Sequence, residues 1–368
     1  MDFDDLLFNH YLKDFEVIKV INDGLFFAVI HYPTNKYIIK SELDRTFSGV
    51  DLTKSFRNKI VIAFQETLFP EVLLELHNWL SEQCCNIENI IVVVTQTLGV
   101  ADWYKKYLEL FGFVGFKLID VPWFTNMFAE RINSIQPYND MHSNKRLEYY
   151  FSFYGGTHGT VERDFLTAQL SDLNIGYVDY MSGFHSSDQA FEGYLEHQTR
   201  FVDRFTVDKL INARQSAKFE QSEQKEFNED FSNKGFQYQI DKVSACHVIR
   251  ETMNYGPYPM VSEKTLRSFL HQQIPIPLGP NTVEYLSKLG FCMDYNIINY
   301  DYQYTINFYD RIVKICHELT MLKNTHSLDD LNNYLHDNKE MIKYNYNYIQ
   351  SGELFKKIGQ NLVEKINE

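Results

Sequence analysis

The sequence predicts an α/β chain of two Rossmann-like lobes facing a cleft, with a small N-terminal β element and a helical C-terminal tail. Three observations predict it. Short apolar runs alternate with helix-period segments over residues 59–122 and again over 147–290. The turn signal Asn22-Asp23-Gly24 separates two apolar runs near the N-terminus. Beyond residue 308 only helical periodicity remains.

The runs 15–21 and 25–30, joined by Asn22-Asp23-Gly24, predict an antiparallel hairpin at the start of the chain. Strands follow at 59–64, 89–95 and 116–122, with amphipathic helices between them at 70–83 and 101–110. Strand, helix, strand, helix, strand implies a parallel sheet covered on both faces, although no GxGxxG accompanies it. A third block has an aromatic strand at 147–154, the glycine-rich stretch 155–160 and a helix at 161–173. Residues 214–234 are charged, and Phe219, Phe227 and Phe231 share one helical stripe. A second α/β unit begins at Asp241, with a strand at 243–249, a helix at 265–272, a proline-bearing strand at 274–279 and a helix at 281–289 stopped by Gly290. Helices at 308–322, 327–335 with Ser327 as N-cap, and 337–366 complete the pattern. The expected domains are an N-terminal α/β lobe with the opening hairpin at 1–145, a second α/β lobe at 146–322 and a helical tail at 323–368 packing on the lobes.

Composition narrows the chemistry. In 368 residues, hydrophobic types make up 44%, with 29 Phe and 25 Tyr, enough for a large core. The formal charge of −14 disfavours a duplex-binding face, whereas an anionic small molecule needs only a few placed cations. No run approaches the roughly 18 apolar residues of a membrane span. The start Met1-Asp2-Phe3-Asp4-Asp5 lacks the basic and apolar regions of a signal peptide. Cys84, Cys85, Cys246, Cys292 and Cys316 show no CxxC spacing, so free thiols in a reducing cytoplasm are expected.

The segment Met260-Val261-Ser262-Glu263-Lys264-Thr265 opens a helix. Ser262 suits an N-cap and Glu263 the positive end of the dipole. With an anion at that end, Lys264 would reach a diphosphate and Glu263 the ribose hydroxyls. Arg250 and Glu251 stand at an expected strand end, where α/β folds place ligands, and a structural Arg–Glu pair fits there equally. In the glycine-rich loop, Gly156 lets backbone approach a phosphate, His158 could accept a proton and Arg163 could add charge; a tight turn is the plainer reading. Glu66 and Asp120, at first-lobe strand ends, are candidate acceptor-side bases or simply solubilising carboxylates.

Three of these segments resemble a family of glycosyltransferase-like proteins of bacteriophages and marine bacteria. Its C-terminal lobe is similar to that of the α1,3-fucosyltransferases, which have the GT-B fold. The first segment is Tyr150-Phe151-Ser152-Phe153-Tyr154-Gly155-Gly156 with Arg163-Asp164-Phe165-Leu166. The second is Val248-Ile249-Arg250-Glu251-Thr252, and the third is Ser262-Glu263-Lys264-Thr265 with Ile276-Pro277-Leu278-Gly279, Leu286 and Leu289-Gly290-Phe291. Departures from the pattern are Glu162 in place of a histidine, Arg267 in place of a lysine, and Asn299-Tyr300-Asp301 in place of a longer acidic motif.

The resemblance implies an inverting, metal-independent glycosyltransferase with a nucleotide sugar as co-substrate and no bound cofactor. Glu263 would bind the donor ribose, Lys264 and Arg163 the diphosphate, and Glu251 would sit near the sugar or nucleotide, with Arg250, Ser262, Thr265, Arg267 and Gly156 beside them. Glu66, His158 and Asp120 are the candidates for the proton acceptor. The acceptor would be a surface glycan or a phage-modified DNA base, in the cytoplasm (of the host cell if viral). The alternative is a non-catalytic binding or structural protein that retains a GT-B-like shell.

Overall fold

The computed structural model describes residues 26–30, 60–64, 70–83, 87–95, 98–122, 135, 137–140, 146–154, 161–179, 241–251 and 259–367. The chain is α/β, with two four-stranded parallel sheets among these residues. It divides into two compact units: Met1–Ser134 with Tyr258–Glu263 and Ser351–Glu368, and Ile135–Pro257 with Lys264–Gln350.

The first unit holds β1 (Phe26–Ile30), β2 (Ile60–Phe64), α1 (Pro70–Gln83), β3 (Ile90–Thr95), α2 (Val100–Phe111) and β4 (Lys117–Val121). Its sheet has the order β1-β2-β3-β4, all parallel. Ile90 to Val94 are all buried, as a central strand covered on both faces requires. Among the described residues Phe26–Ile30 bonds in parallel to Ile60–Phe64, which makes it part of this sheet. The other half of the expected hairpin, 15–21, lies outside the described residues, as does the charged segment 214–234.

In the second unit come β5 (Tyr149–Tyr154), α3 (Val161–Leu173), β6 (Tyr177–Asp179), β7 (Ser244–Ile249), α4 (Glu263–Leu270), β8 (Ile274–Pro277), α5 (Thr282–Leu289), α6 (Phe308–Thr325), α7 (Leu328–Asp337) and α8 (Lys339–Gln350). The first residue of α4, Glu263, is grouped with the other unit. All pairings are parallel, in the order β6-β5-β7-β8. The prolines of β8 explain its place at the edge: Pro275 and Pro277 have no N–H to give a neighbour. The Pro275 carbonyl is instead capped by the Tyr300 hydroxyl at 2.9 Å. Behind β7, Gln273 donates from Nε2 to Ser152 Oγ at 3.1 Å and to the Ser244 carbonyl at 3.3 Å, tying the approach to β8 onto the two central strands.

Leu289-Gly290-Phe291 ends α5 for a clear reason. Gly290 takes φ +110°, its N–H donates to the Ser287 carbonyl at 3.0 Å, and the Phe291 N–H donates to the Leu286 carbonyl at 3.0 Å. That pair of bonds is a Schellman motif, with Leu286 and Phe291 as its apolar contact. Phe291 then stacks on Phe269 of α4, 4.4 Å between centroids at 10°. Asn345 of α8 brackets the next residue, its Oδ1 accepting from the Cys292 N–H and its Nδ2 donating to the Cys292 carbonyl, both at 2.8 Å. Ser327 caps α7 as expected, in a reciprocal capping box with Asp330. The single helix expected at 337–366 is in fact two, α8 and α9 (Glu353–Asn367), broken at Gly352 with φ +79°. Helix α9 belongs to the first unit, where Lys365 approaches Asp120. No helix among the described residues is long and apolar enough to cross a membrane.

Candidate functional site

The second sheet carries its candidate site at one place in its topology. From β5 the chain passes through α3 to β6 on one side; from β7 it passes through α4 to β8 on the other. The direction of winding therefore reverses between the adjacent strands β5 and β7. Outside the carboxyl ends of such a strand pair the two connections diverge, and open α/β sheets place ligands there.

Most of the residues expected to bind a donor lie at that end of the sheet. Arg250 and Glu251 follow directly on β7 and are buried, 7% and 2% exposed. Arg163 is in the first turn of α3, which follows β5, and Glu263 opens α4, which follows β7. Lys264, Thr265 and Arg267 come next along α4; Lys264 is half-buried and the other two are buried. Ser262, just ahead of the first helical residue, is buried. Backbone N–H groups at the starts of both helices give this end of the sheet a positive potential, which suits an anionic ligand.

Two contacts join these pieces. The Thr265 hydroxyl donates to Glu251 Oε1 at 2.7 Å, tying the first turn of α4 to the end of β7. Arg267 lays its guanidinium over the ring of Tyr154, the last residue of β5, at 4.3 Å from the centroid. The edge of that ring meets His247 of β7 at 5.8 Å. Tyr154 and His247 escaped the sequence reading. Tyr154 stood only as part of an aromatic strand, and no local pattern pairs it with an arginine more than a hundred positions away.

Asp120 has a different setting. It is the penultimate residue of β4 in the first unit, where its Oδ2 accepts the N–H of Gly99 and, at 3.3 Å, that of Ala101. Gly99 is the N-cap of α2 and has no side chain with which to cap it, so Asp120 supplies the missing acceptor from the neighbouring strand. Its Oδ1 faces Lys365 at 3.5 Å. Both oxygens thus have partners, one on the start of α2 and one on α9. Glu66, Gly156 and His158 lie outside the described residues. Cys246, Cys292 and Cys316 are free thiols, and burial raises the Cys246 thiol well above its ordinary range. Among the described residues no group of His, Cys, Asp or Glu is arranged to hold a metal ion. Comparison of the chain with protein-family models, with curated proteins and with solved structures found no match.

Proposed function

We propose that this chain is a nucleotide-sugar-dependent glycosyltransferase whose donor site lies at the carboxyl ends of β5 and β7. The observation that carries the reading is the gathering of Arg250, Glu251, Lys264, Thr265 and Arg267 at the winding reversal of a parallel sheet, with Thr265 bonded to Glu251. Lys264, Arg267 and Arg163 are assigned to the donor diphosphate, Glu263 to the ribose, and Glu251 to the sugar or nucleotide. In the transfer, an acceptor hydroxyl attacks the anomeric carbon, a carboxylate or imidazole takes its proton, and the diphosphate leaves with the bonding pair. Cations around the diphosphate stabilise the charge it gains, the largest contribution in such chemistry. Glu66, His158 and Asp120 are the bases assigned to the acceptor, and Asp120 also caps α2. The finer fold assignment, GT-B, belongs to this proposal and rests on two parallel sheets in one chain. So does the acceptor: a net charge of −14 fits a surface glycan better than a modified DNA base.

A panel of nucleoside diphosphates and their sugars, screened by thermal shift and followed by calorimetry, tests the reading. Binding of one nucleotide sugar, lost in Lys264→Ala and Glu263→Ala, is the expected result. If the folded protein binds no member of the panel, the reading fails. A non-catalytic binding protein with a GT-B-like shell then becomes the better account.

A further inference from the structure

The first unit carries an exposed apolar tip that the donor site does not use. Leu110 is 78% exposed, Phe111 56%, Phe113 49% and Val114 59%. Four large apolar residues exposed within five positions is a pattern that soluble surfaces avoid unless something covers them. The backbone turns at Gly112 with φ +65°, and among the described residues nothing lies within 4 Å of where a Cβ would stand there. Because α2 leads directly into β4, this tip is at the amino end of the strands, opposite the end where such sheets bind small ligands.

Side-chain types change in order along α2 away from the tip. Tyr107 packs on Phe111 at 4.8 Å, and Trp103 stacks on Tyr107 at 5.8 Å and 21°. At about 1.5 Å of rise per residue, these two rings lie roughly 6 and 12 Å behind Phe111 along the axis. Lys105 and Lys106, both exposed, lie roughly 9 and 7.5 Å behind Phe111, between the depths of those rings, whereas the acidic Asp102 lies roughly 13.5 Å and Glu109 roughly 3 Å behind it. Leucine and phenylalanine at the tip, tyrosine and tryptophan behind them, and lysine level with those rings match the layers of a bilayer surface: acyl chains, interface and headgroups. A groove on another protein would not call for that order.

We propose that the 110–114 tip is a membrane-surface anchor, inserting Leu110, Phe111, Phe113 and Val114 among acyl chains, with Lys105 and Lys106 against anionic headgroups. It is a peripheral contact and does not depend on the nucleotide-sugar reading. Full-length protein is sedimented with vesicles of phosphatidylcholine alone and of phosphatidylcholine with about one-third phosphatidylglycerol. Wild type should pellet with the anionic vesicles, and Leu110→Gln with Phe111→Gln should weaken partitioning by about ten-fold or more while leaving Tm unchanged. Lys105→Glu with Lys106→Glu should reduce binding to anionic vesicles only. A Phe111→Trp variant should be quenched by brominated acyl chains. Failure of folded wild type to bind either vesicle overturns the proposal, as does equal binding by the Gln variant. A dimer of wild type that becomes monomeric in the Gln variant, without vesicle binding, assigns the tip to a second copy of this chain instead.

Discussion

The hydroxyl of Thr265 donates to the carboxylate of Glu251 at 2.7 Å, and both residues are essentially sealed from solvent, 0% and 2% exposed. A buried carboxylate that loses one of its donors loses part of the compensation for its desolvation, at about 1–3 kcal/mol. Thr265→Val keeps the shape and removes the donor, so it should destabilise the protein by about that amount. Thr265→Ser, which restores a hydroxyl, should recover most of the loss. Urea denaturation of the three proteins reads the difference directly. A Val variant as stable as wild type would show that the bond contributes nothing net.

Arg267 and Tyr154 make a separate prediction about binding. A guanidinium over an aromatic face in a desolvated site is worth about 1–2 kcal/mol, or roughly ten-fold in affinity if the ring holds the arginine in its binding pose. Tyr154→Phe keeps the face and should leave nucleotide affinity nearly unchanged. Tyr154→Leu removes the aromatic face and should weaken calorimetric binding several-fold, with a lowered Tm because the free protein loses the same stack. Equal affinity in the Leu variant would reduce the stack to packing.

Asp120 is a test of cap against base. Loss of an N-cap acceptor costs about 1 kcal/mol, up to about 2 in favourable cases. Asp120→Ala should therefore lower the urea midpoint, and Asp120→Asn, which still offers an acceptor to the Gly99 N–H, should lower it less. If Asp120→Asn instead leaves stability intact and abolishes transfer in an active preparation, the carboxylate is the proton acceptor after all.

Much of the fold was legible because burial writes itself into short stretches of sequence. Ile90 to Val94 reads as a buried strand since every residue is apolar, and Ser327 announces the start of α7. Lateral order was not legible. Nothing local says that β7 lies beside β5, or that β1 pairs in parallel with β2, because those neighbours are chosen by tertiary packing across long connections. The Asn22-Asp23-Gly24 signal speaks for a turn but not for what else bonds to the strand that follows it. The break at Gly352 was legible in principle: an isolated glycine in a helical pattern is a standing signal for a C-terminal cap. For the site, the residues of α4 and the end of β7 came from the sequence, and their mutual contacts came only from the structure.

Gly290 offers the sharpest backbone test. Its φ of +110° is open to glycine and strained for any other residue, and a Cβ there would stand 2.9 Å from the Tyr348 hydroxyl. That hydroxyl donates to the Leu289 carbonyl at 2.6 Å, so it cannot retreat without giving up its own bond. Gly290→Ala should cost about 1–3 kcal/mol, more than the same change at Gly352, where among the described residues no neighbour lies within 4 Å. Comparing the two variants by thermal denaturation separates backbone strain from the added clash.

His77 should make the first unit sensitive to mild acid. Its Nδ1 lies 2.6 Å from the Tyr104 hydroxyl, and that oxygen also accepts the N–H of Phe116. According to the tautomer, a neutral His77 accepts the phenol proton at Nδ1 or donates an Nδ1–H to the phenol oxygen. Burial lowers the His77 pKa below the ordinary 6.5, and it raises that of Tyr104, so the phenol stays protonated. With the folded pKa depressed, the unfolded chain takes up the proton first as pH falls. The stability this group contributes is complete above about 6.5 and declines as pH drops from there toward the folded value. His77→Gln keeps an acceptor for Tyr104 but does not titrate, so its urea midpoint should fall less than that of wild type between about pH 7 and pH 5. Identical slopes in the two proteins would show that His77 contributes nothing to the acid sensitivity of the fold.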